Sequence, residues 1–99
     1  MAKIPKAWHQ YFWEVVPEKV DMKKHPFYVL ERVLEYGDAE AVKKAREFYG
    51  DRLIKKMLLS TYSRGLSNRA IEIWQKRLKL NPKECERIAA HRKHRLWPY

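Results

Sequence analysis

Apolar residues along this chain recur at three- and four-residue steps, with charged residues filling the positions between them. The clearest stretch runs from 36 to 51. It opens on Tyr36-Gly37-Asp38 and closes on Tyr49-Gly50-Asp51. Between the triplets, Ala41, Val42, Ala45, Phe48 and Tyr49 form one stripe, while Glu40, Lys43, Lys44, Arg46 and Glu47 take the other side. That is the period of an amphipathic helix. Each triplet reads as one helix ending and the next beginning. Glycine adopts the positive φ that closes a helix, and the following Asp accepts from the free N–H groups of the next one. The pattern predicts a helix over 38–49 with an abrupt corner at each end. The triplet occurs only twice and at a spacing below the usual repeat periods, so it is a reused corner and not a solenoid.

The same periodicity predicts five further helices. A helix over 5–16 would put Trp8, Tyr11 and Phe12 on one side as a core anchor, and Pro17 would end it. Residues 1–6 form a basic lead, and 17–25 a polar connection with Asp21 as a turn former. Pro26 suits the first position of a helix reaching Tyr36. Phe27, Leu30, Val33 and Leu34 would be its buried face, and Glu31, Arg32 and Glu35 its wet one. A helix from Asp51 to about Tyr62 carries Leu53, Ile54, Met57, Leu58 and Thr61 as its apolar stripe, until Gly65 breaks the pattern. Ser67 would cap a helix to about Leu80, with Ala70, Ile71, Ile73, Trp74 and Leu78 inward. Asn81-Pro82-Lys83-Glu84 combines a cap, a first-turn proline and a glutamate three residues after the cap. It starts a helix to about Arg95 with Cys85, Ile88 and Ala89 inward. Residues 96–99 would be a non-helical tail. No alternating run with hairpin turn residues is present. The fold expected is all-α: one compact domain of about six short helices.

Composition alters this picture mainly through charge. The 99 residues carry 22 basic and 12 acidic side chains, a net charge of +10. Residues 1–33 and 34–66 contribute +2 each, while 67–99 hold nine basic and three acidic residues. A concentrated positive surface points to a polyanionic or acidic partner; a Lys-, Arg- and Glu-rich thermostable surface is the plainer reading. One cysteine, Cys85, excludes an internal disulfide and suits a reducing compartment. The first residues lack the apolar core of a signal peptide, and no apolar run approaches the ~20 residues of a membrane span. A cytoplasmic protein without a membrane segment is the expectation.

Two constellations could meet nucleic acid. The predicted helices flanking Ser63-Arg64-Gly65 have the order of a helix-turn-helix, with Asn68, Arg69, Glu72 and Lys76 outward on the second. Asn and Arg at a helix start can reach base edges in the major groove. Ser60 and Arg64, however, stand where that motif packs apolar residues, so only its second half matches. The other constellation is the basic run Arg87, His91, Arg92, Lys93, His94 and Arg95, followed by Trp97 and Tyr99. Cations along a helix suit phosphates, and the aromatic tail could stack on a base; cations in a last turn also complement the helix dipole. Arg92 and Arg95 would lie ~60° apart around the helix. A metal site is not expected. Cys85, His91 and His94 offer no fourth ligand, and His9 and His25 are remote. No phosphate loop, zinc-hydrolase motif or nucleophile elbow is present, so no cofactor and no catalysis are expected. Glu14, Asp38 and Asp51 read as surface or capping carboxylates, and Cys85 as a small inward hydrophobe.

Phe12-Trp13-Glu14, Arg32-Val33-Leu34-Glu35-Tyr36-Gly37-Asp38 and Leu66-Ser67-Asn68-Arg69 leading to Trp74 resemble a family of small, uncharacterised prokaryotic helical proteins, over about residues 11–78. Such proteins are often encoded beside nucleotidyltransferase-type toxins of abortive-infection systems. The resemblance implies an antitoxin-like or regulatory role with no catalytic residues. The basic segment after Leu80 lies outside it. The chain is thus expected to be a non-enzymatic nucleic-acid-binding or antitoxin-like regulator acting through its basic C-terminal third, with DNA favoured over RNA. Arg69, Lys76, Arg77, Lys79, Arg87, Arg92, Lys93 and Arg95 would hold phosphates, and Asn68 would read a base. The alternative is a helical adaptor that binds an acidic protein, such as a toxin partner, on the same surface. The oligomeric state is left open.

Overall fold

The computed structural model describes residues 1–95, with side-chain environments through His91. The segment 96–99, expected as a non-helical tail, lies outside the described residues. The six helical segments predicted are all present, the first as a 3-10 helix (Lys6–Tyr11) and the others as α1 (Pro26–Tyr36), α2 (Ala39–Tyr49), α3 (Asp51–Leu58), α4 (Asn68–Arg77) and α5 (Pro82–Arg95). Two shorter 3-10 turns, Pro17–Lys19 and Thr61–Gly65, fill connections. Among the described residues the sole strand-like feature is one antiparallel bridge between Lys3 and Asp21. No described helix is long and apolar enough to cross a membrane.

The N-terminal segment departs most from expectation. The predicted helix over 5–16 is only the 3-10 helix Lys6–Tyr11, ended at Phe12, and Pro17 opens a second 3-10 turn instead of ending a helix. In 3-10 geometry residues i and i+3 eclipse, so Trp8 and Tyr11 point together into the core; both are buried, as is Phe12. Trp13 then emerges, 61% exposed. Residues 1–6 and 17–25 are more than lead and linker, because Ile4, Val20 and Met22 are all buried. Asp21 fixes them as a turn former: its Oδ1 accepts from the N–H groups of Lys23 (2.9 Å) and Ala2 (3.1 Å). Those two bonds hold its carboxyl below the usual range. Tyr49 donates its hydroxyl to the Met22 carbonyl at 2.8 Å, which binds the segment to α2. Burial, with Asp21 adding to it, raises the Tyr49 pKa.

The two Tyr-Gly-Asp corners are alike in sequence and different in mechanism. At the first, Asp38 caps α2 by accepting from Ala41 N–H at 2.9 Å. Gly37 does not have the expected positive φ; it is extended, at φ −72°. Its need for glycine is steric, since a Cβ would come within 2.5 Å of the Val33 carbonyl oxygen. At the second corner Gly50 has φ +86° and ψ 153°, a region almost reserved for glycine. Asp51 does not cap α3 as expected. It is that helix's first residue, and its carboxylate accepts two bonds from Arg46, at 2.9 and 2.8 Å. That pairing holds the Asp51 carboxyl below its ordinary value and raises Arg46. Alanine at either glycine should therefore cost on the order of 1 kcal/mol, by backbone strain at Gly50 and by contact with Val33 at Gly37. Urea unfolding of both variants checks this. An unchanged midpoint for Gly50→Ala would refute the strained corner.

The core runs from Trp8 and Phe12 through Val29, Leu30, Val33, Ile54, Met57 and Leu58 to Leu66, Ile71, Trp74 and Ile88. Several facing residues differ from the pattern. Arg32, placed on the wet side of α1, is 6% exposed, and Val29 is fully buried. Phe48 (α2) and Ile73 (α4) are exposed instead of inward. Thr61 and Ala89 are also exposed, while Cys85 is half-buried. The predicted helix to Tyr62 stops at Leu58. Ser60 ends it, since its hydroxyl donates to the Met57 carbonyl (2.6 Å) and accepts from Tyr62 N–H (3.2 Å). Likewise α4 ends at Arg77, before Leu80, with Lys79 at φ +52°. The start of α5 follows the predicted capping box: Asn81 Oδ1 accepts from Glu84 N–H (2.8 Å), and Glu84 Oε1 accepts from Asn81 N–H (3.0 Å). Lys55 of α3 pairs with the same Glu84, whose pKa is lowered first by Lys55 and then by Asn81.

Candidate nucleic-acid interface

The helix-turn-helix reading requires a turn of three or four residues between its two helices. Here residues 59–67 separate α3 from α4 and include the 3-10 turn Thr61–Gly65. The tight turn at Ser63-Arg64-Gly65 is thus replaced by a longer connection, anchored by the buried Ser63 and Leu66. Ser63 is fully buried, and Arg64 Nε donates to the His91 carbonyl of α5 at 2.8 Å.

Helix α4 begins as its sequence predicts, with the Ser67 hydroxyl accepting from Ala70 N–H at 3.1 Å. Its other partner comes from α1: Glu35 Oε1 accepts from Ser67 N–H at 2.7 Å. A carboxylate therefore already sits at the positive end of α4. Asn68 and Arg69 are exposed on the first turn, and Lys76 and Arg77 on the last. Helical geometry lines up Arg69, Ile73 and Arg77 in one exposed row and Asn68, Glu72 and Lys76 in the next. Lys79 follows the helix, exposed, and Arg87 is exposed on α5. Arg92, Lys93 and Arg95 belong to α5, and their side chains, with that of His94, lie outside the described residues.

Tertiary packing adds cations that the C-terminal pattern does not contain. Trp74 is 2% exposed. The Arg46 guanidinium of α2 lies over its ring at 5.6 Å and that of Arg77 at 5.4 Å. Around this indole, α2 and α4 leave two adjoining recesses that share Ala39 and Arg77. The first, about 380 Å3, is lined by Lys43, Arg46, Arg77 and Glu47. The second, about 490 Å3, runs past Arg69 and Ile73 toward Glu35 and Asp38. The electropositive end is thus the one at Lys43, where Arg77 meets two α2 cations. Asp51 neutralises part of it through Arg46. The structure brings Arg69 and Arg77 together along this groove and leaves Arg87 on a separate helix. Lys43 and Arg46 were legible only as the polar side of α2; nothing in their spacing tied them to residues thirty positions later. Among the described residues no group of His, Cys, Asp and Glu could hold a metal ion.

The segments that carried the family resemblance adjoin one another. Glu14 pairs with Arg32, Trp13 lies over the Arg32 guanidinium at 4.4 Å and against Tyr36 at 4.9 Å, and Glu35 binds Ser67. No curated protein and no solved structure matches this chain. A family match covers residues 9–58, from the first 3-10 helix through α3, and leaves α4 and α5 outside it. With half of its length matched, the chain belongs to the family described as Family of unknown function (DUF6922).

Proposed function

We propose that this protein is a non-enzymatic nucleic-acid-binding regulator, antitoxin-like in kind, whose phosphate-binding surface joins α2 to the basic C-terminal third. The observation that carries this reading is the groove at Trp74, where Lys43 and Arg46 of α2 extend the α4 row of Arg69 and Arg77. A basic helix face alone would be a solvated surface; cations from two helices along one open groove form a track for a polyanion. Nine basic against three acidic residues after position 66 add further positive charge beyond the groove, on Lys79 and along α5. The longer 59–67 connection and the Glu35 carboxylate at the start of α4 argue against a major-groove reader. Backbone contacts dominate this reading, and Asn68 is the one candidate base reader. The antitoxin element rests on the family resemblance.

Anisotropy titrations against duplex and single-stranded oligonucleotides over a salt series test it. Binding should weaken steeply with salt, because each neutralised phosphate releases condensed counterions. Lys43→Gln with Arg77→Gln, and separately Arg92→Ala with Arg95→Ala, should each make the salt slope shallower by about 2 units without changing sequence preference. Asn68→Ala should change preference and leave the slope. No binding at low salt would overturn the proposal and assign the basic surface to an acidic protein partner.

A further inference from the structure

A third groove, of about 600 Å3, opens on another side of the molecule, between the start of α1, α3 and the 59–67 connection. Its floor is aromatic and aliphatic: Phe27, Leu53 and Tyr62. Phe27 and Tyr62 meet edge to face, with centroids 5.7 Å apart and planes at 70°. Tyr62 remains 43% exposed, so one ring is held in place by the other while presenting surface to the groove. Two lysines, Lys24 and Lys56, line its rim beside His25, and no acidic residue does. Neither lysine forms an ion pair among the described residues. Serine at the rim is already committed, since the Ser60 hydroxyl bonds the Met57 carbonyl.

We infer that this groove is a single-strand subsite, in which an unpaired base stacks on Tyr62 against Phe27 while Lys24 and Lys56 hold its flanking phosphates. The inference rests on the nucleic-acid reading above and extends it to the kind of strand. An aromatic floor offers contact to the face of a base, and a base shows its face only when unstacked. A duplex would present phosphates to the lysines and nothing to the rings. The cationic rim without carboxylates fits the phosphodiester on either side of such a base. The groove also shares its support with α5: Tyr62 stands on the same 3-10 turn as Arg64, which holds the His91 carbonyl at 2.8 Å. Every base has a π face, so the subsite would tolerate sequence.

The test uses the whole protein with oligothymidylate, an abasic strand of the same length and a duplex, all at low salt. Wild type should bind oligothymidylate roughly 5- to 150-fold tighter than the abasic strand, the range that one stacked base supplies. Tyr62→Ala should erase that difference and leave the abasic-strand and duplex affinities unchanged; Tyr62→Phe should preserve it. Lys24→Gln with Lys56→Gln, both surface changes, should lower single-strand affinity and reduce its salt slope by about 2 units. If wild type binds the thymidylate and abasic strands equally well, the subsite is refuted while nucleic-acid binding stands. If it binds none of the three but does bind an acidic peptide, both readings fall together.

Discussion

Replacing Trp74 with alanine should lower the free energy of unfolding by roughly 3–5 kcal/mol, the range for truncating a buried tryptophan. At 2% exposure its indole is enclosed, and truncating it would leave a void in its place. Beside it stand Ala70 and Ile71 of the same helix and Leu34 and Val42 across the groove. The loss would not be packing alone. The guanidinium groups of Arg46 and Arg77 lie over the ring, and cation–π contacts of this kind contribute about 0.5–2 kcal/mol each according to their exposure. Their removal would also free Arg77, while Arg46 would keep its pair with Asp51. Urea unfolding gives the stability change. Quenching of single-tryptophan variants gives an independent check, because Trp13, 61% exposed, supplies a reference in the same chain. Quenching of Trp74 as readily as Trp13, or a cost below about 1 kcal/mol, would mean that the indole is a surface platform and not the pin between α2 and α4.

The second large effect is expected at Arg32. Its side chain is 8% exposed and pairs with Glu14, while the rings of Trp13, Tyr28 and Tyr36 surround the guanidinium with centroids at 4.4, 5.8 and 5.6 Å. Nε is buried without a hydrogen-bond acceptor. Glu14→Ala would leave a buried cation without its counter-charge, which costs several kcal/mol when both partners are enclosed. Glu14 is more than half exposed, so water can partly replace it, and a cost of about 2–3 kcal/mol is expected. Arg32→Met should cost less than Glu14→Ala, because an apolar chain suits the ring lining and leaves no charge behind. In the double variant, Glu14→Ala should then add little. A double-mutant cycle in urea measures all three. If Arg32→Met proves the more damaging change, the cation itself, through its rings, holds the N-terminal segment on α1, and the ion pair is incidental.

The helical class, the order of the elements and the capped starts of α2, α4 and α5 were all legible in the sequence. They depend on interactions within a few residues: amphipathic spacing, Asp38 to Ala41, Ser67 to Ala70, and the reciprocal pair of Asn81 and Glu84. Local chemistry of this range survives whatever the rest of the chain does. The N-terminal segment was less legible, because a six-residue 3-10 helix is too short for periodicity to separate from an α-helix. The two glycine corners show the limit well. Their triplets are identical, yet the Val33 carbonyl decides one and the Arg46–Asp51 pair accompanies the other.

Tertiary structure alone decided where charge is used. Arg32 has the helical position of a solvated residue, and it is buried because Trp13 and Glu14, nineteen and eighteen residues earlier, fold over it beside Tyr28 and Tyr36. Lys43 and Arg46 gain a place beside Arg77 because the Trp74 ring of α4 lies under both the Arg46 and Arg77 guanidinium groups. The Phe27–Tyr62 groove exists because Ser60 ends α3 early and turns Tyr62 back toward α1. Sequence spacing records the face of a helix on which a residue lies. It does not record which other helix that face meets, and there the stabilising contacts and the candidate sites are made.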